Sequence, residues 1–68
     1  MGDVARVTEI SARSPDSFED AVRIGIERAT QTLRGVRSAW IKEQQVTVND
    51  EGQIAEYQVN LMVTFVLE

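Results

Sequence analysis

From Ala55 to Leu67 the chain alternates. Ala55, Tyr57, Val59, Leu61, Val63, Phe65 and Leu67 are apolar, and Glu56, Gln58, Asn60, Met62, Thr64 and Val66 stand between them. A period of two predicts a long strand over 53–68 whose odd-numbered face packs on a helix and whose even-numbered face is mostly polar. Upstream, "VRSAWIKEQQVTV" predicts a second long strand over 36–48, joined to the first by the turn "NDEG" at 49–52. A different period runs before it. Phe18, Val22, Gly25, Ile26, Ala29 and Leu33 recur at helical spacing, with Arg23, Glu27, Gln31 and Arg34 off the stripe. Ser14 is the expected cap of that helix and Pro15 its first residue, since proline lacks only an N–H that would be unpaired there. Asp16, Glu19 and Asp20 complement the helix dipole, and Gly35 supplies the left-handed stop. Ile24 lies nearly opposite the stripe, as a lone exposed residue or a contact with a second subunit. A shorter strand is expected over 4–10, from Val4, Val7, Thr8 and Ile10. The order is β-α-β-β: an α+β fold with a three-stranded antiparallel sheet partly wrapped around one helix, in a single domain over 1–68.

The only tryptophan, Trp40, lies on the middle strand with Ser38 and Lys42 on its face and Ala39 and Ile41 on the other. Turning Trp40 toward the helix would bury Lys42 and expel Ile41, which is costly without a partner for the ammonium. The expectation is therefore that Trp40 points away from the helix, on the side of Gln58, Asn60 and Met62. Farther along, Val46 and Val48 become the apolar members, and this change of parity predicts a β-bulge near 43–45. An indole on a polar face needs a cover: another subunit, a flat ligand, or both.

Composition narrows the function. A chain of 68 residues has no Cys and no His, so disulfides and thiolate or imidazole metal sites are excluded. Small scaffolds without such staples commonly associate with copies of themselves. The formal net charge of -4 argues against nucleic acid as a partner. No apolar run is long enough to span a bilayer, and "MGDVARVTEI" reads neither as a secretory signal nor as a myristoylation site, so no membrane partner and a cytoplasmic location are expected.

The chain resembles the dodecin family over almost its whole length. The resemblance rests on the β-α-β-β order, the helix "SPDSFEDAVRIGIERATQTLR", the pair Glu43–Gln44 late in the second strand, and the ending "YQVNLMVTFVLE". It implies a hollow homo-dodecamer that stores or buffers flavin. The ligands are held in pairs, stacked on a tryptophan of the second strand, with a glutamine of the third strand on the other ring face. By this resemblance the glutamine is Gln58 and the acidic residue beside the flavin side chain is Glu43. The family's tryptophan position falls on Ser38, and Trp40 occupies the place usually held by a glutamate. Two residues along a strand move the ring ~7 Å while keeping its face. Gln45 and Val66 stand where phosphate-accepting members carry arginines, so riboflavin or a related uncharged flavin is expected ahead of FMN. One branch of the family binds calcium and lacks the stacking tryptophan, and "VRSA" followed by "EQ" resembles that branch as well.

Two readings follow: a flavin-storing shell with Trp40, Gln58, Glu43 and Ser38 at the ligand, or a calcium-binding or purely structural shell. Calcium takes six to eight oxygens. Asn49, Asp50 and Glu51 offer some, but without the EF-hand pattern, and a solvated acidic turn is the simpler interpretation; the residues of any metal site stay undefined. An enzyme is not expected. There is no His for acid–base work, no Cys nucleophile and no serine elbow, and Ser38 near Lys42 reads as a solvated pair.

Overall fold

The computed structural model describes residues 2–67; Met1, and Glu68, which closes the "YQVNLMVTFVLE" motif, lie outside the described residues. Four elements follow in order: β1 (Ala5–Ser14), α1 (Phe18–Thr32), β2 (Val36–Val48) and β3 (Ile54–Val66). They build one antiparallel sheet in the order β1-β3-β2, so the last strand is the central one. This matches the expected α+β architecture, with α1 crossing one face of the sheet.

β1 is longer than the alternation of 4–10 predicts. It continues through Ser11, Ala12, Arg13 and Ser14. Its even positions turn to the helix: Ile10 opposes Leu61 and Ala12 opposes Val59. Ala12 and Ser14 are buried although neither is strongly hydrophobic, which is why the hydrophobic pattern seems to stop early.

The helix begins later than expected. Ser17, not Ser14, is the N-cap, and its hydroxyl accepts the N–H of Asp20 at 2.9 Å. Pro15 and Asp16 form a bend ahead of it. Ser14 instead organises this bend from a fully buried position: its Oγ accepts the Asp16 N–H at 2.9 Å and donates to Asp20 Oδ2 at 2.6 Å. The Ser14 hydroxyl, and then the Arg23 guanidinium 2.6 Å away, hold the Asp20 carboxyl below its ordinary pKa by favouring the charged form.

The helix rests on the sheet through small residues. Ala21, Gly25 and Ala29 are its buried positions. Phe18, Val22, Ile26 and Leu33 flank that line, partly buried. A Cβ at Gly25 would stand 2.9 Å from Leu61 Cδ1 and 3.1 Å from Ala12 Cβ, so only glycine permits this approach. The core is accordingly thin: Ala12, Ala21, Ala29, Val59, Leu61 and Val63. Phe18 closes one end by meeting the Tyr57 ring edge-on, with centroids 5.1 Å apart. At the other end Gly35, with φ of 70°, turns the chain into β2 while its carbonyl accepts the Val66 N–H at 3.0 Å.

β2 is bulged more than once. Register shifts fall between Val36 and Ser38, between Ile41 and Glu43, and between Thr47 and Val48. The middle one puts the extra residue at Lys42, just before the expected stretch 43–45, and produces the expected change of parity. Ile41 opposes Leu61 before it, while Gln44 opposes Val59 and Val46 opposes Tyr57 after it. All of these lie on the helix side, so the bulge lets Val46 share that side with Ile41, with the polar Gln44 between them.

Candidate functional site

The sheet face away from the helix carries the candidate residues. On β3 it displays Gln58, Asn60, Met62 and Thr64, whose odd-numbered neighbours Val59, Leu61 and Val63 are buried. The β2 residues paired to that set are Ser38 opposite Thr64, Trp40 opposite Met62, Glu43 opposite Asn60 and Gln45 opposite Gln58. Trp40 therefore points away from the helix, as the parity argument requires, and is 52% exposed. Ser38, Trp40, Glu43 and Gln58 all share this face.

They are not all close. Two β3 positions separate the Trp40 level from that of Glu43, and two more separate Glu43 from Gln58. At ~3.3 Å per residue, Trp40 and Gln58 sit ~13 Å apart along the sheet, and Ser38 is ~20 Å from Gln58. A ring stacked on Trp40 thus meets Glu43 well before it meets Gln58 of the same copy.

The polar half of this face is a connected ladder. Arg13 Nε donates to Gln58 Oε1 at 3.1 Å, Gln58 Nε2 donates to Asn60 Oδ1 at 3.2 Å, and Asn60 Nδ2 donates to Glu43 Oε1 at 3.2 Å. Ser11 Oγ also donates to Asn60 Oδ1, at 2.7 Å. Both lone pairs of Asn60 Oδ1 are used, so each amide is fixed in orientation by its neighbours. What Asn60 still offers a ligand is an N–H, and Arg13 offers its guanidinium nitrogens; Glu43 keeps the free carboxylate oxygen. Such a surface suits a planar partner with carbonyl and ring-nitrogen acceptors at one edge and hydroxyl donors nearby.

The apolar half is framed by charge. Lys42, at the bulge, reaches across β3 to Glu9 on β1, Nζ to Oε1 3.1 Å. Glu9 is itself paired with Met62, so the ion pair spans the sheet beside Trp40.

The sequence pattern places Asn60 and Lys42 on this face without giving them a role, and does not single out Glu9, Ser11 or Arg13. Asn60 shares the parity of Gln58 and was legible in principle. Ser11 and Arg13 become legible only when β1 is extended to Ser14, since Glu9, Ser11 and Arg13 then form the outward set.

The turn at the end of the hairpin is closed on itself. Asn49 Oδ1 accepts the N–H groups of Glu51 and Gln53, both at 3.0 Å. That oxygen is therefore already engaged and is a poor cation ligand. Among the described residues no three acidic side chains gather at one point within a single copy. No helix among them is long and apolar enough to cross a membrane.

The dodecin family model matches residues 4–68. This chain belongs to the dodecin family. It is 37% identical over 68 residues to the dodecin of Thermus thermophilus, with 100% of this chain and 97% of that protein covered. It is 34% identical over 62 residues to the calcium dodecin of Mycobacterium tuberculosis, covering 91% and 86% of the two chains. Among solved structures, the dodecin from Streptomyces davaonensis superposes with a TM-score of 0.93 at 40% identity, over 100% of this chain and 98% of that one. The Mycobacterium tuberculosis calcium dodecin superposes with a TM-score of 0.83 at 32% identity, over 96% and 91%. Dodecins named for calcium and dodecins without that designation thus share this fold.

Proposed function

We propose that residues 1–68 act as one dodecin-like domain, in the cytoplasm, that assembles into a hollow homo-dodecamer and stores or buffers flavin. The single observation that carries this reading is Trp40: a half-exposed indole, flanked by Met62, on the outward face of a sheet next to a fixed ladder of amides. Flat aromatic ligands gain from stacking on such a ring, by ~0.5–1.5 kcal/mol beyond the area buried. Glu43 then accepts from ribityl hydroxyls. Gln58, too far along its own sheet, serves a ring stacked on the neighbouring copy's tryptophan, which makes assembly a condition of binding. Ser38 lines the floor beyond Trp40. Riboflavin is preferred over FMN because Gln45 and Val66 bring no positive charge to a phosphate.

Titration of the purified protein with riboflavin and FMN, followed by flavin and Trp40 fluorescence, tests this. Mutual quenching at micromolar protein, stronger for riboflavin, is expected. Unquenched flavin would overturn the flavin reading.

The resemblance to the Mycobacterium tuberculosis calcium dodecin, together with Ser38 at the family's tryptophan position, supports a second reading: a shell that binds calcium through carboxylates gathered from several copies. Calorimetry with calcium separates the two, since heat of calcium binding without flavin quenching favours this alternative.

A further inference from the structure

The amide ladder of the outward face ends in two groups of opposite kind. At one end stands Arg13, whose guanidinium can only donate; at the other stands Glu43, whose ionised carboxylate can only accept. Between them every bond runs the same way, from Arg13 to Gln58, from Gln58 to Asn60 and from Asn60 to Glu43. Turning either amide over would set N–H against N–H on one side and oxygen against oxygen on the other. Bonds arranged head-to-tail also polarise one another, so an amide that accepts from a cation donates more strongly through its own N–H.

The two amides are not equally secured. Asn60 is held by Gln58, Ser11 and Glu43. Gln58 is held, among the described residues, by Arg13 and Asn60 alone. Without Arg13 it keeps one bond on a long, rotatable side chain. Arg13 is well placed for the task. It opposes Gln58 in register, and it faces outward because Ala12 and Ser14 beside it are buried. Among the described residues no carboxylate lies within ion-pair distance of its guanidinium, so nothing draws it off the ladder.

We propose that Arg13 is a positioning residue for ligand recognition: by holding the Gln58 carbonyl it fixes the N–H groups of Gln58 and Asn60 as the donors that meet the carbonyl edge of a flat ligand. Each amide keeps one N–H beyond the ladder. Asn60 Oδ1 is filled, and Gln58 Oε1 already answers a cation. The open donors therefore lie toward Arg13 and the open acceptor lies at Glu43. A ring edge bearing carbonyl or ring-nitrogen acceptors is what such a row selects. This inference rests on the flavin reading above, in which Gln58 faces a ring stacked on the neighbouring copy's tryptophan, and adds the residue that sets what Gln58 presents.

Arg13→Met removes the donor and keeps the stem, whereas Arg13→Lys keeps a cationic donor. The chain has two asparagines, Asn49 and Asn60, so asparagine-selective isotope labelling gives two side-chain amide signals in a nitrogen–proton NMR spectrum. Asn49, at the hairpin turn, is the internal reference. In R13M the Asn60 signal is expected to move, although Arg13 makes no bond to it, while Asn49 stays; R13K is expected to restore it. Riboflavin affinity, read by flavin fluorescence, is expected to fall about fivefold in R13M, the scale of one lost hydrogen bond, and to stay near the parent in R13K. Quenching at saturation should persist, because Trp40 is untouched, and the infrared carbonyl bands of bound riboflavin should shift toward their positions in free riboflavin. An unmoved Asn60 signal in R13M, equal riboflavin affinity in R13M and the parent, or R13K as impaired as R13M overturns the inference while leaving flavin binding intact. Riboflavin left unbound by the parent overturns the flavin reading instead, and the Asn60 signal still decides whether Arg13 sets the ladder.

Discussion

Lys42 pairs with Glu9 across the full width of the sheet, from one edge strand to the other, with the central strand passing between them. The bulge at Lys42 makes this possible by setting an extra residue on the outward face beside Trp40. The pair is solvated on both sides, and exposed pairs of this kind contribute little to folding. Its position frames the surface on which a ligand or neighbour would sit.

Lys42→Met is therefore expected to change the free energy of unfolding by no more than about 1 kcal/mol. Urea denaturation of the variant beside the parent measures it. A loss several times larger would mean that this pair is desolvated in the folded protein.

Trp40→Ala is expected to reduce riboflavin affinity by about tenfold or more, the scale of a lost aromatic stack plus its buried area. Far-UV circular dichroism should be unchanged, because the indole is no part of the core. Collapse of the secondary structure would place the ring in the folding nucleus instead.

Gly25→Ala brings two opposing effects. Alanine favours the helix by ~1 kcal/mol. Its Cβ, however, meets Leu61 and Ala12 closer than ordinary contact allows, and overpacking costs ~1–3 kcal/mol. The sheet side of this contact is buried and Ala12 has nowhere to rotate, so net destabilisation is expected. Thermal and urea unfolding read the sign, and a variant more stable than the parent would show that the helix can lift without cost.

Ser14→Ala removes an acceptor from the Asp16 N–H and a donor from Asp20. About 1 kcal/mol per lost hydrogen bond is expected at neutral pH. The pH dependence follows from Asp20, whose folded pKa lies below the ordinary aspartate value. Such a carboxylate contributes stability that is present above its unfolded pKa of ~3.9 and is lost as pH falls through the folded value. The parent should therefore lose stability on acidification below about pH 4 more steeply than Ser14→Ala does. Parallel slopes in denaturation midpoints from pH 6 to pH 2 would contradict the role given to that hydroxyl.

Much of the fold is visible in the alternation of β3 and the stripe of α1, because both elements bury one face against the other. The parity that sends Trp40 outward is legible for the same reason: a one-residue slip would bury Lys42. The misread boundaries lie where burial is achieved by small or polar residues. Ala12 and Ser14 are buried without being conspicuously hydrophobic, so β1 seems to end at Ile10; Ala21 is the missing member of the helix contact. The two serines flanking Pro15 and Asp16 are both plausible caps, and the choice between them is made by Asp20, which receives the Ser14 hydroxyl while its own N–H goes to Ser17. Bulges at Arg37 and Ala55 depend on strand pairing, which no single-strand pattern contains. The amide ladder is likewise a property of three strands at once: Gln58, Asn60 and Glu43 can each be placed on the outward face from the sequence, but the β1 partners Ser11 and Arg13 that join them cannot.

The placement of the last-made strand between the other two has a consequence for biosynthesis. Until β3 leaves the ribosome, β1 and β2 have no hydrogen-bonding neighbour, and α1 has only half of the surface it rests on. A nascent chain lacking β3 holds no sheet at all, so this sheet forms only once β3 has been made, as one cooperative event rather than strand by strand.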